Sequence, residues 1–207
     1  MKIVPFVQKK GGTGKSTTAT NMSVEATLRG FSVALIDIDP QGSALMWKNA
    51  RGDAWPHVEA MAPEHLPRWI GDYGGEFDLV VIDTAAHDGD ALAQVVRLAD
   101  LTVIVTQPTM LSNAVAVHLR DVFLDFGIAY AILLTQTPPS LTQRLDHWIR
   151  SHRLLGTVVD TQLAYRMDYQ DAIPLGMGVV EYNPHGRAAQ EVRSATDWLL
   201  NRLEMIP

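Results

Sequence analysis

No cysteine occurs in the 207 residues, which removes disulfides, thiolate nucleophiles and thiolate-bound metals together. Whatever chemistry the chain performs rests on oxygen, nitrogen and backbone groups. Long apolar runs are missing too: the longest, such as Leu79 to Ile82 and Ile128 to Leu134, stop well short of the roughly 20 residues that cross a bilayer. An integral membrane protein is excluded. Met1 to Gln8 holds one lysine and then reads as a strand, without the charged-then-apolar segment and cleavage site of a secretion signal. The cytoplasm is the expected compartment. Charged residues are only 19% against 47% hydrophobic, the balance of a globular core and not of a disordered tail. Positive charge is the scarcer sign. With a net charge of −6 the whole molecule repels a phosphate backbone at long range, so any nucleic-acid contact needs a local patch. Lysine is absent beyond position 48, and the five that occur, Lys2, Lys9, Lys10, Lys15 and Lys48, gather around one loop. That clustering is a first sign of an anion site.

Hydrophobic periodicity gives the organisation. Lys2 to Val7 reads as a strand, followed by a glycine-rich loop and a helix over Thr17 to Arg29. Phe31 to Ile36 is a second strand, leading through a Pro-Gln-Gly turn to a helix ending near Trp47 to Ala50. The stretch from Arg51 to Gly75, with three prolines and four glycines around a short helix at Glu64 to Asp72, reads as connecting structure. Three more apolar runs, Leu79 to Ile82, Leu101 to Thr106 and Ile128 to Thr135, alternate with helices at Ala91 to Ala99 and Leu111 to Phe126. A helix over Leu141 to Leu154, a weak strand over Thr157 to Leu163, a helical turn at Met167 to Ala172 and a last helix over Gly186 to Leu203 complete the pattern. Continuous apolar strands alternating with helices predict a doubly wound α/β fold: a mostly parallel sheet with helices on both faces. No linker or repeat breaks the chain, so one domain over residues 1–207 is expected.

Between the first strand and first helix stands Lys10-Gly11-Gly12-Thr13-Gly14-Lys15-Ser16-Thr17. Glycines let successive backbone N–H groups turn onto an anion, and the helix N-terminus adds the positive end of its dipole. In such a loop Lys15 reaches the β- and γ-phosphates and the Ser16 hydroxyl meets Mg²⁺. Leu79-Val80-Val81-Ile82-Asp83-Thr84 is an apolar strand ending in an aspartate placed to accept from Mg²⁺-bound water. Asp37 and Asp39 follow the second strand, at the strand end where open α/β sheets bind ligands. Both also suit the alternative role of helix N-cap.

The usual phosphate-loop pattern has a glycine where this chain has Lys9. Lys10-Gly11-Gly12-Thr13-Gly14-Lys15-Ser16 instead resembles the deviant Walker A loop of the ParA/MinD branch of P-loop ATPases. Asp37-Ile38-Asp39-Pro40-Gln41 with Trp47 after it looks like the small ParF type of ParA. The resemblance implies that Lys10 reaches the phosphates of a partner subunit in an ATP-dependent homodimer. It implies that Asp39 orients the attacking water, Asp37 supports Mg²⁺ from the outer sphere, and Thr135 and Gln136 line the base pocket. Lys10, Lys15 and Asp39 are then the catalytic set. The loop from Lys10 to Thr17, with Thr135 and Gln136, is the ATP site, and Ser16, Asp37 and Asp83 form the metal site. Relatives often have proline where this chain has Ala85, and His87 reads as a surface loop histidine.

The implied function is partition or positioning of a plasmid or other cargo. ATP-bound dimers coat nucleoid DNA without sequence preference, and a ParB-like or cargo-adaptor partner stimulates hydrolysis. Arg144, Arg150 and Arg153 form a locally positive stretch that suits DNA, and Arg166 matches an arginine of ParF-like sequences. The competing reading of these residues is a solvated face of ion pairs. Other readings of the chain are a membrane-associated positioning ATPase of the MinD kind, an iron–sulfur scaffold ATPase or metabolic relative, and a module that senses ATP without turnover. Scaffold relatives need cysteine, and the tail with Arg193, Asp197, Trp198, Arg202 and Glu204 has too balanced a charge to seek anionic lipid.

Overall fold

The computed structural model describes residues 1–86, 90–140 and 142–206. Among them, seven strands form one parallel sheet. In chain order these are β1 (Lys2–Val7), β2 (Val33–Asp37), β3 (His57–Ala60), β4 (Leu79–Asp83), β5 (Thr102–Thr106), β6 (Tyr130–Thr137) and β7 (Leu163–Ala164). The helices between and after them are α1 (Lys15–Leu28), α2 (Ser43–Arg51), α3 (Leu66–Tyr73), α4 (Asp90–Arg97), α5 (Met110–Asp125), α6 (Gln143–Arg153), α7 (Met167–Ala172), α8 (Val179–Tyr182) and α9 (Arg187–Arg202). Spatial order is β3-β2-β4-β1-β5-β6-β7, so the chain winds outward in both directions from β1, as a doubly wound sheet does.

Alternation along each strand sorts side chains to two cores. Val4 and Phe6 of β1, Leu79 and Val81 of β4, and Val103 and Val105 of β5 pack with α1, α8 and α9 on one face. On the other face, Ile3, Val80 and Ile82 meet Leu66 and Trp69 of α3 and Val95 of α4. Val7 and Ile104 meet Ala116, Leu119 and Phe123 of α5 on that same side. Because both faces are covered, the central strands carry no polar interruption until their carboxyl ends. Asp37 and Asp83 stand there, side by side in the β2–β4 register.

The structure differs from the sequence reading in three places. Connecting structure was expected over 51–75, but His57–Ala60 adds β3 at the sheet edge. Of its four residues only Val58 is buried, so it lacks the apolar run that marks the other strands. The strand expected over Thr157 to Leu163 shrinks to Leu163–Ala164 and a single pairing of Val158 with Ile132. The four-residue α8 has too little periodicity to be read from sequence. Leu141, the expected start of the helix that begins at Gln143, and His87 lie outside the described residues.

Candidate functional site

β1 delivers the chain to the middle of the sheet, and residues 8–14 turn it back into α1. Gly12 at φ +73° and Gly14 at φ +89° occupy the left-handed region that glycine enters without a Cβ clash. Gly14 is the N-cap of α1, and its carbonyl accepts the Thr18 N–H at 2.8 Å. Lys15, Ser16 and Thr17 therefore occupy the first turn, where backbone N–H groups and the positive dipole end face outward.

Lys15 is almost fully buried. Burial lowers its pKa, and the nearby carboxylates of Asp83 and Asp39 pull it back up. Asp83 has no exposed surface, and neither of its oxygens has a hydrogen-bond partner among the described residues. Its carboxyl is pushed up to about 7, first by burial and then by Asp37 and Asp39, against the pull of the neighbouring Ser16 hydroxyl and Lys15 ammonium. A buried carboxylate left unsatisfied is costly unless something pairs with it. Ser16 and Asp83 thus fit a divalent cation, one hydroxyl and one carboxylate being the sparse protein set that Mg²⁺ takes.

Asp37 is differently occupied. One oxygen accepts from Asp39 N–H at 3.0 Å, and the other from Ala44 and Leu45 N–H at 2.9 and 3.0 Å. Its carboxylate caps α2 from the end of β2, so the cap role is realised, while its place beside Asp83 in the β2–β4 register keeps it next to the expected outer-sphere position. Burial raises its pKa, and the three amides offset part of that. Asp39 is half-exposed on the cavity edge and accepts Gln41 N–H at 2.9 Å, which fixes a local turn.

The loop borders a cavity of about 550 Å³, lined by residues 11–17, Asp39, Gln41, Met46, Trp47 and Ile173 among others. A second cavity, about 260 Å³, shares Gly14, Thr17 and Ile173 with the first and is walled by Thr135, Gln136, Tyr165, Arg166 and Tyr169. The Tyr169 hydroxyl is buried without a partner among the described residues. The two spaces adjoin along their shared residues, and the larger is of a size that holds a small organic ligand. Its outer wall is braced by α2: Trp47 Nε1 donates to the Met177 carbonyl at 3.2 Å. Arg51 donates to the Gly176 carbonyl and to both Glu181 oxygens at 2.8 Å, and its guanidinium lies 4.9 Å from the Trp47 ring centre.

Other expected residues lie as follows. Lys10 does not line the cavity; its Nζ donates to Ser112 Oγ on α5 at 3.4 Å. Thr135 and Gln136 do border the second cavity, and both also donate to the loop: Thr135 Oγ1 to the Thr13 carbonyl and Gln136 Nε2 to the Gly12 carbonyl, each at 2.7 Å. Arg144, Arg150 and Arg153 share α6 and are exposed, Arg150 pairing with Asp146 at 2.9 Å. Arg166 stands apart from them. It is largely buried and forked onto Glu191 of α9, and that carboxylate also accepts from the Ala164 N–H. Sequence reasoning missed Gln107, whose Nε2 donates to the Gly12 carbonyl at 3.1 Å. Its only signal was its place at the end of a strand.

A family described as the CobQ/CobB/MinD/ParA nucleotide binding domain matches residues 4–197. Maintenance of carboxysome distribution protein A of Gloeobacter kilaueensis is 35% identical over 202 residues, which cover 95% of this chain and 85% of that protein. A chain of the MinC:MinD cell division protein complex of Aquifex aeolicus superposes with a TM-score of 0.80 at 16% identity, covering 100% of this chain and 98% of that one. The ATP complex of a Cyanothece McdA variant does so with a TM-score of 0.75 at 12% identity, again covering 100% and 98%. These two are likenesses of fold. Taken with the deviant loop at the head of α1 and the paired aspartates at the ends of β2 and β4, the family match means that this chain belongs to the CobQ/CobB/MinD/ParA nucleotide-binding family, of which the ParA and MinD branch are P-loop ATPases.

Proposed function

We propose that this chain hydrolyses ATP to ADP and phosphate with Mg²⁺, and uses that cycle to position or partition a cargo. One observation carries the reading: Lys15 and Ser16 open α1 against a fully buried carboxylate, Asp83, whose desolvation the Ser16 hydroxyl and Lys15 ammonium only partly offset. Phosphoryl transfer asks the protein for positioning and charge neutralisation more than for a strong base. The loop N–H groups and the Lys15 ammonium hold the phosphates. Ser16 and Asp83 hold the cation, which when bound neutralises phosphate charge. Asp39, at the cavity edge and steadied by its turn to Gln41, orients the attacking water. The smaller cavity past Gly14 and Thr17 takes the base. Residues 1–207 act as one domain in this scheme.

Lys10 has its work in an ATP-bound homodimer, where it reaches the phosphates of the second subunit. The cargo role draws on the carboxysome-distribution and cell-division names of the relatives. Nucleoid DNA, bound without sequence preference through α6, is the track, and a ParB-like or adaptor protein on the cargo is the partner. The membrane alternative loses its apolar face, since Leu199, Leu200 and Leu203 at the end of α9 are buried and a membrane-lying helix needs such residues outward. Among the described residues, no helix is long and apolar enough to cross a membrane.

Sedimentation with ATP, with ADP and without nucleotide, each with and without nonspecific DNA, tests the cycle. A doubled mass with ATP alone, and DNA binding confined to that state, is the expected result. A mass indifferent to nucleotide would overturn the switch.

A further inference from the structure

Gln136 adopts φ +50°, a left-handed conformation that a residue with a Cβ keeps only where its surroundings hold it there. It is also the extra residue of a bulge: Thr135 pairs with Leu163 and Thr137 with Ala164, so Gln136 has no counterpart on β7. Bulge and left-handed turn together direct the side chain at the phosphate loop. Gln136 Nε2 donates to the Gly12 carbonyl at 2.7 Å, and Gln136 Oε1 accepts from Gln107 Nε2 at 2.7 Å. Gln107 Nε2 also reaches the Gly12 carbonyl, at 3.1 Å. Two strand ends thus converge on one carbonyl, and Thr135 holds the next, that of Thr13.

A trans peptide points its C=O and the following N–H in opposite directions. Holding the Gly12 carbonyl toward β5 and β6 therefore turns the Thr13 N–H away from those strands, and holding the Thr13 carbonyl does the same for the Gly14 N–H. The larger cavity lies on that opposite side, since Gly12, Thr13 and Gly14 line it whereas Thr135, Gln136 and Gln107 do not. We propose that Gln136, seconded by Gln107, is a positioning residue that presets the phosphate loop by drawing the Gly12 carbonyl out of the anion cavity. The inference rests on reading that cavity as a triphosphate site. It replaces the base-contact role that resemblance gives Gln136 with a role toward the phosphates.

The two roles separate with half-ligands. Calorimetric titration with inorganic tripolyphosphate, adenosine and ATP compares the wild type with Gln136→Asn and Gln107→Met. Asparagine tolerates the left-handed region but is one methylene too short to reach Gly12, and methionine keeps the bulk of Gln107 without its donor. Gln136→Asn is expected to weaken tripolyphosphate and ATP by about tenfold, the value of one net hydrogen bond, and Gln107→Met by about threefold on the same scale. Adenosine affinity stays the same in Gln107→Met, since Gln107 borders neither the larger nor the second cavity. The ¹H–¹⁵N resonances of the Thr13 and Gly14 amides shift in both variants without ligand. Unchanged tripolyphosphate affinity in both variants overturns the proposal, whether or not adenosine weakens. If Gln136→Asn fails to fold, Gln107→Met decides by the same readouts. Wild type that binds neither tripolyphosphate nor ATP would instead remove the phosphate-site reading beneath it, a failure visible before any variant is made.

Discussion

Lys15 is the cation that the buried end of the site cannot do without. Its ammonium sits among Asp83, Asp39 and the loop, so Lys15→Ala removes the main counter-ion of the phosphates. We expect nucleotide affinity to fall by at least about a hundredfold, the order of a desolvated charge-assisted contact, as read by titration with a fluorescent nucleotide. His152 makes a second residue-scale prediction. It is fully buried in α6, Nδ1 donates to the Trp148 carbonyl at 2.8 Å, and burial lowers its pKa. The unfolded chain binds a proton below about 6.5, while the folded chain resists it until lower pH. Stability is therefore whole above that value and drains as pH falls toward the folded pKa. Urea melts at pH 7 and pH 5 should show a smaller acid loss in His152→Leu than in wild type. Lys15, Ser16, Asp39 and Asp83 could be picked out as candidates because each lies in a short continuous motif, at the head of α1 or at the end of β2 or β4. The Gln107 contact could not, since 95 residues separate it from Gly12 and nothing local marks it. Asp37 was half legible: cap and outer-sphere support are both roles for an aspartate after a strand, and the placement of the α2 amides shows the first.

At the scale of elements, α2 is fastened at both ends. Asp37 caps its start, and Arg51 at its end is tied to Gly176, Glu181 and the Trp47 ring. Arg51 is the better handle because its side chain is only 8% exposed. Arg51→Ala leaves Glu181 with its Gly178 amide alone, and we expect a loss of about 3 kcal/mol, the order for breaking a largely buried pair, from urea denaturation. Arg51→Lys should recover only part of it, because an ammonium cannot fork to two carboxylate oxygens and a carbonyl together. Central strands announced themselves through unbroken apolar runs, buried as they are on both faces. β3 and β7 did not, one being a half-exposed edge and the other two residues long, so that pairing with a neighbour and not their own pattern makes them strands.

For the whole molecule, the difficulty is a net charge of −6 in a chain proposed to travel on DNA. Arg150 and Arg153 lie three residues apart on α6, close on one side of the helix, and Arg144 is about half a turn round from Arg153. Arg150→Glu with Arg153→Glu should weaken DNA binding and reduce the slope of log affinity against log salt by about 2 per subunit; an unaltered slope places the contact elsewhere. Lys10→Ala should leave ATP affinity near wild type yet abolish the mass change with ATP, since its Nζ reaches Ser112 and not the cavity of its own subunit. Neither the assembly nor the DNA face could be derived from strand and helix patterns, because those patterns describe what the chain hides. There remains the position of β1, with three strands on either side. Its amides should trade their hydrogens for deuterium only when the entire chain comes apart. A ligand gripping the loop that β1 carries then slows that exchange in proportion to its occupancy, so the most deeply protected strand becomes the gauge of how full the site is.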